Sequence, residues 1–423
     1  MRSNMITVAT VVTSVLLMAH AAVADPVQEQ LKLMEQRMAE MEDRLQATST
    51  ELATAKSTVS QQQGLLSEAG LIEEDEGLDS AGGHFGDLVE ISGVAAASFN
   101  YRLIDEDING DLAGGNALFR HPDANTFTFD QAFINVNKPS TSESRGGFNL
   151  DLAYGDIANQ QGGSNENEFL LYSAYVSYLA PIGNGVEIQL GRLGTPLGAE
   201  VVQANGNFFV TQGAVFGLQP VTHTGVSLTT QLTDSIGFTA GVVNEVYNDT
   251  FVSTDNDKAY YGQFQFGGDA WGLNVGGIWG DDSGSGSCGG AECETSVVDV
   301  VLSLDPTENL SVWFNYDWAH SSGEDFAGHG SAHGVSAAGR VGITDTMGLA
   351  TRVEYVNVED TLAGTGDDVE LITATLTGDK RLTDNLVTRL ELRYDVFLDD
   401  AVATFVTGDE NQLVALWEMY FEF

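Results

Sequence analysis

Charged side chains at alternate positions are the residues of this chain best suited to do chemistry. Between Asn385 and Phe397, Arg389, Glu391, Arg393 and Asp395 alternate with apolar residues. The same parity places nine charged residues on one face of successive extended segments: Arg102, Asp151, Arg340, Arg352, Glu354, Arg389, Glu391, Arg393 and Asp395. Opposed arginine and carboxylate clusters would set up an electric field that orients dipolar solutes. The alternative is that they pair across strands and stabilise the wall, and both roles can hold together.

Cysteine and histidine side chains form a second candidate set. Cys288 and Cys293 are the only two cysteines and lie in the sequence SCGGAEC. In an exported chain this spacing predicts a disulfide that pins a loop tip. His320, His329 and His333 share a glycine-rich segment that offers no preformed metal geometry, so no metal site is predicted. The chain has no G-x-S-x-G motif, so we predict neither enzymatic activity nor a cofactor.

Composition narrows the class of protein. The 423 residues include 61 acidic and 17 basic side chains, giving a formal net charge of −44, and 43% of residues are apolar. The apolar content argues against disorder. A nucleic-acid partner is excluded because binding phosphates requires a basic face.

The N-terminus has the features of an export signal. Arg2 precedes an apolar run from Met5 to Met18, and Ala22-Val23-Ala24 follows. This order predicts a signal peptide over residues 1–24, because the run is shorter than the ~20 residues of a spanning helix. Asp25 would be the first mature residue, which argues against a lipoprotein anchor.

Residues 25–66 carry a heptad pattern. Apolar residues recur every seventh position: Leu31, Met38, Leu45, Leu52, Val59 and Leu66. The period predicts an α-helical coiled coil that self-associates; a lone amphipathic helix lying on a barrel or a membrane surface is the alternative. Residues 67–86 contain the acidic run EEDEGLD and paired glycines, which indicate a solvated linker.

Residues 87–423 read as an all-β array of about sixteen strands. Predicted strands begin near residues 87, 125, 145, 168, 184, 221, 235, 257, 270, 292, 308, 332, 347, 367, 385 and 411. One face of each strand is apolar and the other is polar or charged, as in transmembrane antiparallel β-barrels, whose strand number is usually even. Such a barrel satisfies its own backbone hydrogen bonds within lipid.

The connections alternate between short and long. Short turns of such barrels face the periplasm and long loops face outward, so both chain ends are expected in the periplasm of a Gram-negative bacterium. The coiled coil would then lie in the periplasm and the barrel in the outer membrane, among its lipids and lipopolysaccharide. The aromatic tail with Trp417, Phe421 and Phe423 resembles the signal that the outer-membrane assembly machinery recognises.

The connection over residues 195–220 is the longest and least charged, TPLGAEVVQANGNFFVTQGAVFGLQP. Burying so apolar a segment inside the barrel mouth, against the wall, is more favourable than exposing it to water. It is the third outward loop by count, and we predict that it narrows the interior, with Glu200 as an acidic partner of the basic wall. Packing on neighbouring loops or on a trimer partner is the alternative.

The same region carries a family resemblance. The stretches GRLGTPLGAE, NGNFF and FGLQPVTHTGVSL resemble the OmpL-like beta-barrel porin family. The matching positions are Gly191, Thr195, Pro196, Gly198, Glu200, Asn207, Phe208, Pro220, Thr222, His223, Thr224 and Gly225, and Phe209 completes the Asn-Phe-Phe turn. The resemblance implies an outer-membrane channel of poorly defined substrate. The heptad segment lies outside it and is similar to the coiled coil of LbtU-type siderophore porins.

These observations predict a trimeric outer-membrane porin for passive diffusion of small hydrophilic solutes. Two other functions remain open. One is a substrate-specific channel of the siderophore type, and the other is a structural tether between the outer membrane and the cell wall. An energised receptor would need a globular plug and a coupling box, which this N-terminus does not contain.

Overall fold

The computed structural model describes residues 89–103, 125–162, 169–247, 257–282, 293–322, 330–359, 368–398 and 411–423. The predicted signal peptide, coiled coil and acidic linker, and Cys288, lie outside these residues. Among the described residues, no helix is both long enough and apolar enough to cross a bilayer.

Sixteen β-strands form the architecture, and each follows a stretch of the alternating pattern. The strands are β1 (Glu90–Arg102), β2 (Phe127–Lys138), β3 (Gly146–Tyr154), β4 (Phe169–Ala180), β5 (Val186–Gly194), β6 (Thr222–Thr233), β7 (Ile236–Val243), β8 (Ala259–Gly268), β9 (Trp271–Asp281), β10 (Glu294–Thr307), β11 (Leu310–Ser322), β12 (Gly330–Thr344), β13 (Met347–Val358), β14 (Val369–Arg381), β15 (Leu386–Phe397) and β16 (Asn411–Glu422). One short helix, α1 (Asp156–Gly162), follows β3, and 3₁₀ turns occupy Ala204–Gly206 and Val215–Leu218.

All neighbouring strands pair antiparallel, and the sheet closes on itself. Each strand pairs with the next along the chain, and β1 pairs with β16 from Val94↔Glu422 to Arg102↔Val414. The main chains of Gly93 and Phe423 exchange two hydrogen bonds of 2.9 and 3.1 Å beside this seam. The prediction of a closed sixteen-stranded barrel is confirmed.

The connections divide the barrel into two ends. The turns after even-numbered strands are short, such as residues 234–235 between β6 and β7. We call this the short-turn end, and β1 starts and β16 finishes there. The opposite, long-loop end carries the connections after odd-numbered strands, among them residues 195–221 between β5 and β6.

The outer surface is apolar and bordered by aromatic rings. Alternate residues of β15, Leu390, Leu392 and Tyr394, are exposed, whereas the charged residues between them are buried inside. Exposed rings gather near the long-loop end at Tyr101, Phe127, Tyr154, Phe169, Tyr260 and Trp279, and near the short-turn end at Tyr178, Trp271, Phe421 and Phe423. An apolar band between two aromatic girdles is the surface that transmembrane barrels present to lipid.

Candidate functional site

Residues 195–220, the inserted segment, fold back into the barrel. The segment leaves β5 and returns to β6, and the Thr195 N–H donates to the Val221 carbonyl at its base over 2.9 Å. Every residue from Phe209 to Val215 is buried. The predicted loop residues Thr195, Pro196, Gly198, Asn207, Phe208, Phe209 and Pro220 belong to this segment, whereas His223 lies in β6, buried and stacked on Tyr261.

Glu391 on β15 holds the middle of the inserted segment. Its carboxylate accepts hydrogen bonds from the Val210 N–H at 2.6 Å, from the Thr211 N–H at 3.0 Å and from the Thr211 hydroxyl at 2.6 Å. The Thr377 hydroxyl of β14 donates to the same carboxylate at 2.7 Å. Hydrogen bonds to a charged group are stronger than neutral ones, so this buried carboxylate is a major anchor.

Arg352 and Glu354 on β13 form the next attachment. The Arg352 guanidinium lies 2.5 Å from Glu200 of the inserted segment and 3.0 Å from Glu354. It also donates to the Thr211 carbonyl at 3.0 Å and lies 4.5 Å from the centre of the Phe209 ring. Glu354 in turn accepts from the N–H groups of Ala214 and Val215 at 3.1 and 3.3 Å.

Arg389 and Arg393 on β15 complete the contact by binding backbone carbonyls. Arg389 donates to the carbonyls of Ala204, Asn207 and Phe209 over 2.6 to 3.2 Å. Arg393 donates to the Gln212 carbonyl at 2.6 Å and pairs with Asp395 at 2.9 Å. We call the surface formed by Arg352, Glu354, Arg389, Glu391 and Arg393 the charged wall. All five residues are at most 4% exposed.

The first half of the inserted segment attaches to other strands. Gln263 of β8 donates to the Pro196 carbonyl at 2.5 Å, and the Ala199 N–H donates to Asn315 of β11 at 3.1 Å. Gln131 of β2 accepts from the Ala204 N–H at 3.0 Å. The sequence did not predict Gln131, Gln263 or Asn315 as contacts of the inserted segment. Their inward parity was a signal for Gln131, Gln263 and Asn315, but nothing distinguished Thr211 within its segment.

Two glycines allow the inserted segment to lie this close. A Cβ at Gly213 would collide with the carboxylates of Glu354 and Glu200. Gly198 has φ of 93°, in the left-handed region, and a Cβ there would collide with the Gln219 side chain. A larger residue at Gly213 would therefore push the segment off the wall, whereas one at Gly198 would clash within the segment itself.

Burial shifts the pKa of two groups in the connections. Burial raises the pKa of Glu200, and the guanidinium of Arg352 opposes that shift. Burial, followed by the charges of Asp282 and Asp317, raises the pKa of Tyr247. The Tyr247 hydroxyl therefore stays protonated and donates to the Leu218 carbonyl at 2.5 Å, near the end of the inserted segment.

The opposite side of the interior is lined by hydroxyls and amides. We call this the hydroxyl–amide wall, and it comprises the inward side chains Asn135, Asn149, Ser173, Tyr175, Gln189, Thr229, Thr239 and Gln265 on β2 to β8. Its carboxylates include Asp151 and Glu187, both half-buried, and Arg192 donates to Thr222 toward the long-loop end. Most of this wall is only partly buried, so it is the more accessible side of the interior.

The remaining predicted residues are spread over the barrel. Arg102 is buried on β1, across β16 from Arg393. Arg340 lies near the short-turn end, where it binds Asp379 through two hydrogen bonds of 2.8 and 2.7 Å. The arginines therefore do not form one ring around the interior. Whether any of them sets selectivity stays a prediction.

Cys293 and the aromatic tail occupy opposite ends of the barrel. Cys293 is buried at the long-loop end, next to the start of β10, and its predicted pairing with Cys288 remains a prediction. Trp417 and Phe421 face outward on β16, and Phe423 is 54% exposed. Their role in assembly is likewise untested. Within the described ranges, no group of three or more His, Cys, Asp or Glu side chains is arranged to hold a metal ion.

Solved structures of outer-membrane proteins share this fold. An anion-selective porin from Comamonas acidovorans has 11% identity and a TM-score of 0.56, covering 79% of this chain and 99% of that one. The outer membrane channel DcaP of Acinetobacter baumannii has 10% identity and a TM-score of 0.55, covering 79% and 97%. OmpT of Vibrio cholerae, in a trimer form, has 12% identity and a TM-score of 0.54, covering 79% and 99%.

Sequence comparison identifies the family. No curated protein matches the chain. The model of the family described as "Putative beta-barrel porin-2, OmpL-like" matches residues 89–423, which include every strand of the barrel. Because this match covers most of the chain, the protein belongs to the OmpL-like beta-barrel porin family, as the elements around the inserted segment predicted.

Proposed function

We propose that this protein is an outer-membrane porin through which small hydrophilic solutes diffuse passively, in a pore narrowed by the inserted segment. One observation carries the proposal: a 26-residue connection runs inside a closed sixteen-stranded barrel and is fastened to one side of it. A barrel of sixteen strands is wide enough to hold a water-filled channel. The family and the fold are consistent with a channel rather than an enzyme.

The charge of the passage follows from which groups are accessible. Arg352, Arg389 and Arg393 are buried beneath the inserted segment and hydrogen-bonded to it. Asp151 and Glu187 are half-buried on the hydroxyl–amide wall. Together with the net charge of −44, these carboxylates favour neutral and cationic solutes over anions.

We further propose a homotrimer in the outer membrane, with the N-terminal coiled coil in the periplasm and the apolar band in contact with lipid and lipopolysaccharide. The aromatic tail ending at Phe423 would be read by the assembly machinery. The heptad period supports self-association, and one structure of similar fold is a trimer.

Single-channel recording in a planar bilayer tests the proposal. The purified full-length protein should give discrete conductance steps, and a variant in which residues 199–217 are replaced by a short Gly-Ser linker should conduct several-fold more. Equal conductance in the two proteins would show that the inserted segment does not narrow the pore. No ion current through either protein, at any voltage, would overturn the channel itself.

A further inference from the structure

A cavity of about 580 Å³ lies inside the barrel near the short-turn end. It separates the 3₁₀ turn at Ala204–Gly206 from the wall formed by β1, β2, β3 and β16. Its lining includes Phe133, Asn135, Asp151, Gln203, Asn205 and Glu422. The volume falls within the range of roughly 300–1,000 Å³ that is typical of small-molecule sites.

The polar side chains on the strand side are held in place by one another. Asn135 donates to the Asn149 side-chain oxygen at 2.8 Å and to Asp151 at 2.5 Å. Asn149 and Ser173 each donate to the other oxygen of Asp151 at 3.0 Å. Because three donors hold the Asp151 carboxylate, its orientation is fixed before any ligand arrives. The same three hydrogen bonds partly neutralise its negative charge.

The side formed by the inserted segment is also fixed. Gln131 accepts from the Ala204 N–H, and the Asn205 side chain donates to Glu422 at 3.3 Å. Glu422 is paired in addition with Arg381 at 3.1 Å. Asp151 and Glu422, which face the cavity from the strands, thus already have donors, which lessens what a cationic ligand would gain from them. The third acidic residue of the lining, Asp384, is exposed in the turn before β15, where solvent screens its charge.

The amide, carboxylate and aromatic groups of this cavity are complementary to the hydroxyl groups and C–H faces of sugars. Side-chain amides both donate and accept hydrogen bonds, as sugar hydroxyls do. The ring of Phe133 adds apolar surface suited to the C–H face of a sugar ring. We propose that this cavity binds neutral polyhydroxylated solutes, namely mono- and disaccharides, on their way through the barrel. The inference rests on the proposed channel and names its substrate class.

Isothermal titration calorimetry of the full-length protein in detergent tests the inference, with maltose as the probe. Maltose should bind saturably, and Asn135→Ala combined with Asn205→Ala should weaken the affinity at least tenfold. Asn274→Ala is the matched control, because Asn274 faces the interior from β9 and does not line the cavity. It should leave the affinity within twofold of the parent value.

Two results would overturn the inference: no binding of maltose, whether or not spermidine binds saturably, or equal binding of maltose by the parent and the double variant. Should the double variant fold poorly, the single change Asn205→Ala at an exposed position gives the same test. Calorimetry does not depend on conduction. If the protein conducts ions but does not bind maltose, only the assignment of a sugar site to the cavity is wrong. If the protein carries no current, the proposed channel function is wrong.

Discussion

The charged wall and the hydroxyl–amide wall face each other inside one barrel, yet their polar groups are used differently. On the charged wall, Arg352, Arg393 and Glu391 are almost completely buried and bind the inserted segment. On the hydroxyl–amide wall, Asn135, Tyr175 and Gln189 are only partly buried. The charges of the charged wall therefore hold the inserted segment against the strands, and the accessible part of the interior is lined mainly by neutral polar groups.

Removing Glu391 should disrupt the charged wall most. Glu391→Ala leaves the N–H groups of Val210 and Thr211 without their acceptor and deprives the buried arginines of a counter-charge. We expect the free energy of unfolding to fall by about 3–5 kcal/mol and the conductance to rise as the inserted segment loosens. Urea unfolding and bilayer recording measure the two effects.

Glu143→Ala, in an exposed turn, is the control for the Glu391 variant. It removes the same side chain from a position outside the charged wall and should change neither quantity. Unaltered stability of Glu391→Ala would show that the inserted segment does not depend on the charged wall.

The ion pair between Arg352 and Glu200 should show coupling of intermediate size. Arg352→Met leaves the buried Glu200 carboxylate without its ion-pair partner at 2.5 Å, and Glu200→Gln removes one of the two carboxylates that pair with Arg352. A double-mutant cycle of unfolding free energies should therefore give a coupling of about 1–3 kcal/mol. Simple additivity of the two single changes would mean that Glu354 alone neutralises Arg352.

Gly213→Ala should weaken the seating of the inserted segment by a smaller amount. The added methyl group would meet the carboxylates of Glu354 and Glu200, so we expect a loss of about 1–3 kcal/mol in urea unfolding. Gly378→Ala is the matched control because a Cβ there meets no atom within 4 Å. The close contact described for Gly213 would be contradicted if both variants had the same stability.

Changes on the hydroxyl–amide wall should alter selectivity and lower stability less than changes on the charged wall. Asp151→Asn together with Glu187→Gln removes two half-buried carboxylates and keeps side-chain size. The permeability ratio of K⁺ to Cl⁻, taken from reversal potentials in a salt gradient, should fall by about twofold because fewer fixed negative charges face the passage. An unchanged reversal potential would show that residues other than Asp151 and Glu187 set the ion selectivity.

The strand alternation allowed much of this barrel to be predicted. Strands have a period of two, so the pattern from Arg389 to Asp395 indicated which side chains point inward, and the structure buries all of them. The sequence could not predict whether an inward-facing arginine contacts water or the backbone carbonyls of the inserted segment. That outcome depends on the path of the inserted segment, which has no periodic pattern, and Thr211 carried no signal despite its contacts with Glu391, Arg352 and Arg393.

The main-chain pair between Gly93 and Phe423 has a consequence for the kinetics of folding. These residues are about 330 positions apart, so the seam is the pairing of highest contact order in the barrel. Its ladder cannot be completed until the residues up to Phe423 have been delivered. Until then β1 and β16 are open edges able to pair with another chain, which makes the interval before closure the time when this protein is most exposed to aggregation.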